Sequence, residues 1–142
     1  MSYLFKKQEA KIIYIAGNGG LAAESEHFAA ELMGKYHSDV YVPCIALTSN
    51  SSLVTALAND IGYENVFAHQ IRVLGNKNDT FIGMTTTSSE NIVKAAEVAR
   101  KVGMQVVLLD GKALKGDNVA EKQEYAIRLL HKMAREIKDA NK

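Results

Sequence analysis

The sequence has one cysteine, one proline and no long apolar run. Its single cysteine, Cys44, excludes a disulfide within one chain, and the apolar surroundings predict a buried structural thiol. The single proline, Pro43, lies where it suits the beginning or edge of a strand. No apolar run approaches the roughly 20 residues of a membrane span, and residues 1–11 contain no secretory signal. We therefore expect a cytoplasmic protein with no membrane partner.

An excess of charge of one sign is also missing. The chain has 17 basic and 16 acidic residues, for a formal net charge of +1. This balance gives no electrostatic footprint for nucleic acid, so no nucleic-acid partner is expected. Hydrophobic residues make up 47% of the 142 residues, which is typical of a globular protein. Without repeats or low-complexity tracts, the chain is expected to form one domain over residues 1–142.

Short β-branched runs alternate with amphipathic segments along the chain. Strands are predicted at 11–17, 42–47, 79–84 and 104–110. Helices are predicted at 21–36, 53–60, 64–75, 90–103 and 119–139, with Ser51 or Ser52 capping the second of them. This alternation predicts an α/β fold, a three-layer sandwich with a central parallel sheet and helices on both faces.

Two loops are expected at the carboxyl edge of this sheet, where ligands bind in such folds. The first is the glycine turn, residues 17–20, whose glycines permit close approach of a ligand to the backbone. The second is the hydroxyl loop, residues 85–89 with the sequence TTTSS, just before a predicted helix. Free N–H groups at a helix N-terminus suit a phosphate, and capping accounts for only one or two of the five hydroxyls. The hydroxyl loop is therefore a predicted phosphate site.

Three other polar residues lie on predicted helices. His27 and Glu31 are four residues apart and share one helix face. This spacing suits two ligands of one metal ion or an acid–base pair, and it equally fits a weak surface contact. His131 follows Leu129 and Leu130, a setting that favours a core or interface histidine.

Taken together, these motifs resemble the phosphoheptose isomerases of the sugar-isomerase (SIS) domain family. The resemblance covers residues 11–137 and combines the glycine turn, HFAAE, AND, the hydroxyl loop, and QE with a histidine eight residues after the glutamine. It implies a flavodoxin-like SIS fold and a cytoplasmic homotetramer with active sites at subunit contacts. It also implies bound zinc, about one ion per subunit, and a phosphosugar substrate. The family interconverts sedoheptulose 7-phosphate and D-glycero-D-manno-heptose 7-phosphate, the first step of ADP- or GDP-heptose precursor synthesis.

The resemblance also implies roles for individual residues. The family's catalytic base corresponds to Glu31 and its acid to His131. An aldose–ketose isomerisation needs both types, because a proton moves between neighbouring carbons through an enediol. The implied zinc ligands are His27, Glu31, Gln123 and His131. The implied substrate contacts are Asn18, Gly19, Gly20, Glu31, Asn59, Asp60, Thr85, Thr86, Thr87, Ser89 and Gln123.

The chain departs from the family pattern at several places. Leu21 replaces a usual serine, Lys35 replaces an arginine, and the hydroxyl loop is one residue shorter than the family's. The segments before the first strand and near 111–118 are shorter than in the family, where a further strand precedes the last helix.

Two alternative functions remain compatible with such a sequence. One is a non-catalytic SIS-fold binding protein, like the initiator-associating relative that regulates replication by contacting another protein. That relative lacks the residues matching Glu31 and His131, so their presence here favours an enzyme. The other is an isomerase or sensor of a different phosphosugar.

The spacing of Gln123 and His131 raises a geometric question. Eight residues on one helix separate them by roughly 12 Å along its axis, whereas zinc lies only about 2 Å from each ligand atom. Either both side chains stretch, or the helix begins later, or the two residues serve different sites. The third alternative predicts that His131 enters the site of a neighbouring subunit in an oligomer, most simply a tetramer. Such an assembly would also bury the apolar face of residues 126–130.

Overall fold

The computed structural model describes residues 11–142. The predictions made for residues 1–10, which concern the secretory signal and the start of the domain, lie outside this range. A parallel sheet in the order β2-β1-β3-β4 forms the centre. Its strands are β1 (Ile13–Ala16), β2 (Cys44–Ala46), β3 (Thr80–Met84) and β4 (Gln105–Leu109). The prediction of an α/β fold with a parallel central sheet is confirmed.

Among residues 11–142, five helices cover the sheet. They are α1 (Gly20–Met33), α2 (Ser51–Ile61), α3 (Val66–Leu74), α4 (Glu90–Val102) and α5 (Val119–Ala140), and a short 3₁₀ turn (Tyr63–Asn65) precedes α3. Helix α1 ends three residues earlier than predicted, because the backbone becomes extended at Gly34, whose N–H still donates to the Ala30 carbonyl. The predicted cap of α2 was wrong: Asn50 is the cap, and its side chain accepts from the Leu53 N–H at 3.0 Å.

Successive residues of the strands supply two separate hydrophobic cores. Tyr14 and Phe81 pack with α2, α3 and α4, whereas Ile15 and Ile82 pack with α1 and α5. Cys44 is buried in the second core, and burial raises the pKa of its thiol to about 12. The thiol therefore stays protonated at neutral pH, and the prediction of a buried structural cysteine is confirmed.

Helix α5 packs along α1 within one chain. Ala126, Leu130 and Ala134 are buried in the core beneath these two helices. Ala126 and Leu130 are thus buried within one chain, whereas Ile127 and Leu129 of the same segment are half-buried. Within residues 11–142, no helix combines the length and apolar character that crossing a membrane requires.

Candidate active site

A His–Glu–His cluster forms where α1 and α5 meet. The Oε1 atom of Glu31 lies 2.6 Å from Nε2 of His27 and 2.9 Å from Nε2 of His131. The Glu31 side chain is buried, at 7% exposure, while both imidazoles reach solvent, with 50% of the His27 and 35% of the His131 side chain exposed. One buried carboxylate thus faces two accessible imidazoles, an arrangement that a weak surface pair does not produce.

The donor atoms of this cluster fit a metal ion. The two imidazole nitrogens and a Glu31 carboxylate oxygen all lie within 4.8 Å of one another. The other carboxylate oxygen, Oε2, is buried and has no hydrogen-bond partner among the described residues. Buried polar atoms without partners are rare, and each calls for an explanation such as a bound ion or a reactant. Imidazole nitrogen together with carboxylate oxygen is a ligand set that zinc accepts.

His131 reaches Glu31 of its own chain. This contradicts the prediction that His131 enters the site of a neighbouring subunit. The alternative of a later helix start is also wrong, because α5 begins at Val119 and contains both Gln123 and His131. Helices α1 and α5 run side by side. Gln123 lies against Gly20 at the start of α1, and His131 lies against Glu31 near its end.

The contact between Gly20 and Gln123 explains why a glycine stands at the first position of α1. A Cβ atom added to Gly20 would lie 2.7 Å from the Gln123 amide carbon, closer than real Cβ contacts. Gly19, the residue before, has a φ of 60°, a left-handed conformation that glycine adopts without strain. The glycine turn therefore places its backbone directly against the Gln123 side chain of α5.

We expect Gly20→Ala to displace Gln123 while leaving the fold intact, because the obstructing atoms belong to a flexible side chain. If Gln123 contacts substrate, KM should rise about fivefold, the equivalent of one lost hydrogen bond of about 1 kcal/mol. Steady-state kinetics and thermal unfolding of both proteins would measure this. An unchanged KM would remove Gln123 from the substrate contacts.

The glycine turn and the hydroxyl loop meet at the carboxyl edge of the sheet. The side-chain amides of Asn18, in the glycine turn, and Asn91, in the first turn of α4, exchange two hydrogen bonds of 3.0 and 2.9 Å. The Tyr63 hydroxyl donates to Asn18 at 2.7 Å. A cleft of about 500 Å³ opens beside these groups, lined by Asn18, Tyr63, Glu64, Ser89, Glu90 and Asn91.

Sequence reasoning missed Asn91 and Tyr63. Asn91 lies in the first turn of α4, yet it is only 2% exposed. The usable signal was that Asn18 and Asn91 each follow the end of a buried strand, and the sheet places those two ends side by side.

The hydroxyl loop is held by its own side chains. Thr85 is buried, and its Oγ1 accepts from the backbone N–H groups of Thr87 and Ser89 at 3.2 and 2.9 Å. The hydroxyls of Thr87 and Ser89 lie 3.2 Å apart, and Thr86 is half-buried. Ser89 occupies the N-cap position of α4 without making a side-chain cap. The loop therefore presents hydroxyls at a helix N-terminus that Ser89 does not cap.

Two other predicted substrate contacts lie apart from this loop. Asn59 and Asp60 are exposed in the last turn of α2, where the Asn59 amide donates to Asp60 at 3.2 Å. The chain then runs through Gly62 to Tyr63, whose hydroxyl reaches Asn18.

Leu21 stands where the family usually has a serine. Its side chain is 3% exposed in the core beneath α1, so it adds packing to the core and no hydroxyl to the glycine turn.

Glu24 is a further acid on the face of α1 that contains His27 and Glu31. Its Oε2 atom is buried without a partner among residues 11–142. Burial raises the pKa of Glu24 from 4.5 to about 7, and the neighbouring His27 opposes this effect. Burial thus favours the protonated form of this carboxyl near neutral pH.

We expect Glu24 to make the metal-free protein less stable as the pH rises. Because its pKa is higher in the folded than in the unfolded protein, its contribution is fully present below about 4.5 and is lost as the pH passes about 7. Glu24→Gln cannot ionise, so its advantage in unfolding free energy over the parent should be larger at pH 8 than at pH 4. Urea unfolding at both values would measure this, and a difference independent of pH would contradict it.

Comparisons with known proteins agree with this fold. The family model of the SIS domain matches residues 6–111. The phosphoheptose isomerase of Leptospira biflexa is 48% identical over 112 residues, which are 74% of this chain and 57% of that protein. The phosphoheptose isomerase of Helicobacter pylori strain P12 is 47% identical over 102 residues, 70% of this chain and 53% of that protein. The chain thus spans little more than half the length of these relatives.

Solved structures of the same kind superpose on the chain. The phosphoheptose isomerase GmhA from Neisseria gonorrhoeae has a TM-score of 0.77 and 30% identity, covering 94% of this chain and 78% of that one. The enzyme from Francisella tularensis has a TM-score of 0.79 and 29% identity, with the same coverage. The chain therefore belongs to the SIS domain family, in which it is similar to bacterial phosphoheptose isomerases.

Proposed function

We propose that the chain is an aldose–ketose isomerase that interconverts sedoheptulose 7-phosphate and D-glycero-D-manno-heptose 7-phosphate, the first step of ADP- or GDP-heptose precursor synthesis. The observation that supports this best is the buried Glu31 carboxylate, which lies within 2.9 Å of two imidazoles. The choice of substrate rests on the similarity of the chain to phosphoheptose isomerases. The cluster supplies the two groups that an enediol reaction needs.

In this mechanism Glu31 removes the proton from the carbon beside the carbonyl group. His131 protonates the carbonyl oxygen, which completes the enediol, and then takes the proton of the neighbouring hydroxyl. Glu31 returns its proton to the adjacent carbon, so the aldose and the ketose differ only in the placement of two hydrogens.

We propose that this cluster also binds zinc. The ligands would be His27, Glu31 and His131, whose donor atoms lie together, and the resemblance to the family adds Gln123 as a fourth. When bound, zinc supplies Lewis-acid polarisation of a substrate oxygen. The contact of Gln123 with Gly20 supports its role as a substrate contact more directly than its role as a ligand.

The phosphosugar is proposed to bind along the carboxyl edge of the sheet. Its phosphate lies at the hydroxyl loop, where the free end of α4 favours an anion. The remaining proposed contacts are Asn18, Gly19, Gly20, Asn59, Asp60, Thr85, Thr86, Thr87 and Ser89.

We further propose a cytoplasmic homotetramer with sites at or beside subunit contacts. Asn18 of the cleft precedes α1, and the cluster begins at His27, roughly 10 Å further along the helix axis than Gly20. This separation between the cleft and the cluster within one chain supports a site that a neighbour completes. Exposed apolar side chains, among them Met33, Tyr41 and Val73, supply surface for such contacts.

Mixing two impaired variants, assayed at a substrate concentration well below KM, tests the shared site. Glu31→Gln damages the cluster and Thr87→Ala damages the cleft, so a site built from two chains should regain part of its activity in hybrids. Light scattering on the same samples gives the oligomeric state. An active monomer, or hybrids without regained activity, would contradict the shared site.

A turnover assay with a panel of phosphosugars tests the proposed activity. The zinc-loaded chain should isomerise sedoheptulose 7-phosphate faster than fructose 6-phosphate or ribulose 5-phosphate. A faster reaction with another sugar phosphate would identify an isomerase of different specificity. No turnover with any of them would favour the non-catalytic binding protein.

A further inference from the structure

A buried lysine near the end of α5 fixes the turn that follows α1. Lys138 is 0% exposed. Its Nζ atom donates to the backbone carbonyls of Gly34 and Tyr36 at 2.6 Å each, and to that of Ser38 at 3.3 Å. A buried ammonium group is costly unless such partners satisfy it, and here they occupy all three of its donors. The segment 34–38 is therefore attached to the last turns of α5.

The same segment contains a residue in an uncommon backbone conformation. His37 has a φ of 66°, a left-handed value that few residues other than glycine adopt. Its Nε2 atom lies 3.0 Å from the Asp139 carboxylate, beside Lys138 on α5. Backbone strain of this kind persists only where the surroundings over-determine it. The contacts from α5 on both sides of His37 meet that condition.

Tyr36 stands inside this fixed segment and touches the candidate active site. Its ring is stacked on that of His131, with centroids 5.7 Å apart and planes 25° apart. The Tyr36 hydroxyl accepts a hydrogen bond from Arg135 at 3.0 Å, one turn further along α5. The His131 imidazole also lies 5.4 Å from the His27 ring. Its plane is therefore set by aromatic neighbours while its Nε2 faces Glu31.

We propose that Tyr36 is a positioning residue for His131, and that Lys138 holds Tyr36 against the imidazole. This inference rests on the role proposed above for His131. A stacked ring limits rotation of the imidazole, so Nε2 stays aimed at the shared carboxylate. Residues behind a ligand or an acid act in this way: they do not touch the substrate, yet they determine the geometry of the group that does.

Two variants test the proposal. Tyr36→Leu removes the ring, whereas Tyr36→Phe, the matched control, keeps the ring and loses only the bond from Arg135. We expect Tyr36→Leu to lower kcat and zinc affinity about tenfold each, as loss of a supporting residue does. KM should stay within about twofold, and Tyr36→Phe should retain most of the activity.

Zinc affinity, measured by competition with a chelator, and NMR signals of the His131 ring are readouts independent of turnover. The ring signals should move in Tyr36→Leu and stay near their parent positions in Tyr36→Phe. A folded Lys138→Met variant should reproduce the effects of Tyr36→Leu. If Lys138→Met does not fold, the comparison of Tyr36→Leu with Tyr36→Phe still tests whether the Tyr36 ring positions His131.

Parent-like kcat and zinc affinity in Tyr36→Leu would overturn the inference. His131→Ala separates this result from failure of the proposed function. If His131→Ala is inactive while Tyr36→Leu is unaffected, only the positioning role is wrong. If His131→Ala is fully active, the proposed role of His131 is wrong as well.

Discussion

Replacing Glu31 by glutamine is expected to lower kcat for sedoheptulose 7-phosphate by about 10³-fold, within the range found for loss of a general base. Glutamine keeps the shape of the side chain but cannot take a proton from carbon. It also weakens zinc binding, because a neutral amide replaces the carboxylate that faces both imidazoles. The fold should survive, since the change is nearly isosteric in a polar cluster.

Kinetics at saturating zinc, together with thermal unfolding, would measure this effect. Glu26→Gln is a matched control, because Glu26 is an exposed acid on the same helix whose carboxylate bonds to Thr48. It should leave kcat unchanged. A Glu31→Gln protein with parent kcat would remove Glu31 from the reaction, and loss of folding in that variant would point to a structural role.

Mixing Glu31→Gln with His131→Ala should restore no activity. Each variant alone should be nearly inactive, because each lacks one partner of the 2.9 Å contact between these side chains. Glu31 and His131 belong to the cluster of a single chain, so every subunit of a hybrid contains a damaged cluster. This holds whether the cluster acts with the cleft of its own subunit or with that of a neighbour.

The measurement is the activity of variants unfolded together and refolded as a mixture, with hybrid formation checked by mass spectrometry. Parent protein taken through the same treatment controls for losses in refolding. Activity regained above that of either variant alone would show that Glu31 and His131 act from different chains, contrary to the structure.

The fold could be predicted from local sequence patterns, namely short strand-forming runs and the regular spacing of apolar residues in helices. The β-branched runs at 13–16 and 80–84 lie between turns, and the helices show apolar residues at regular spacing. Their alternation leaves a parallel sheet as the natural arrangement. The predicted helix at 119–139 differs from α5 by one residue at its C-terminal end. The cap of α2 was misassigned because Asn50, Ser51 and Ser52 are all competent caps, and their order alone does not select one.

The candidate site was only partly predictable. His27 and Glu31 share a helix face, so their pairing is visible in the spacing. The contact of Glu31 with His131 spans 100 residues and depends on how α5 packs on α1, which no local pattern specifies. The burial of Lys138 was equally hidden, because a lysine near the end of a helix is expected to reach solvent.

Isomerisation in D2O tests the central claim most directly. An enediol forms and collapses by proton exchange at the carbons beside the carbonyl, so NMR should show the aldose product appearing from sedoheptulose 7-phosphate with zinc-loaded protein. Deuterium should enter at C2 of the aldose and C1 of the ketose. Neither the aldose product nor the deuterium label should appear with Glu31→Gln. Neither product nor deuterium from a folded, zinc-loaded chain at saturating substrate would contradict the proposed function.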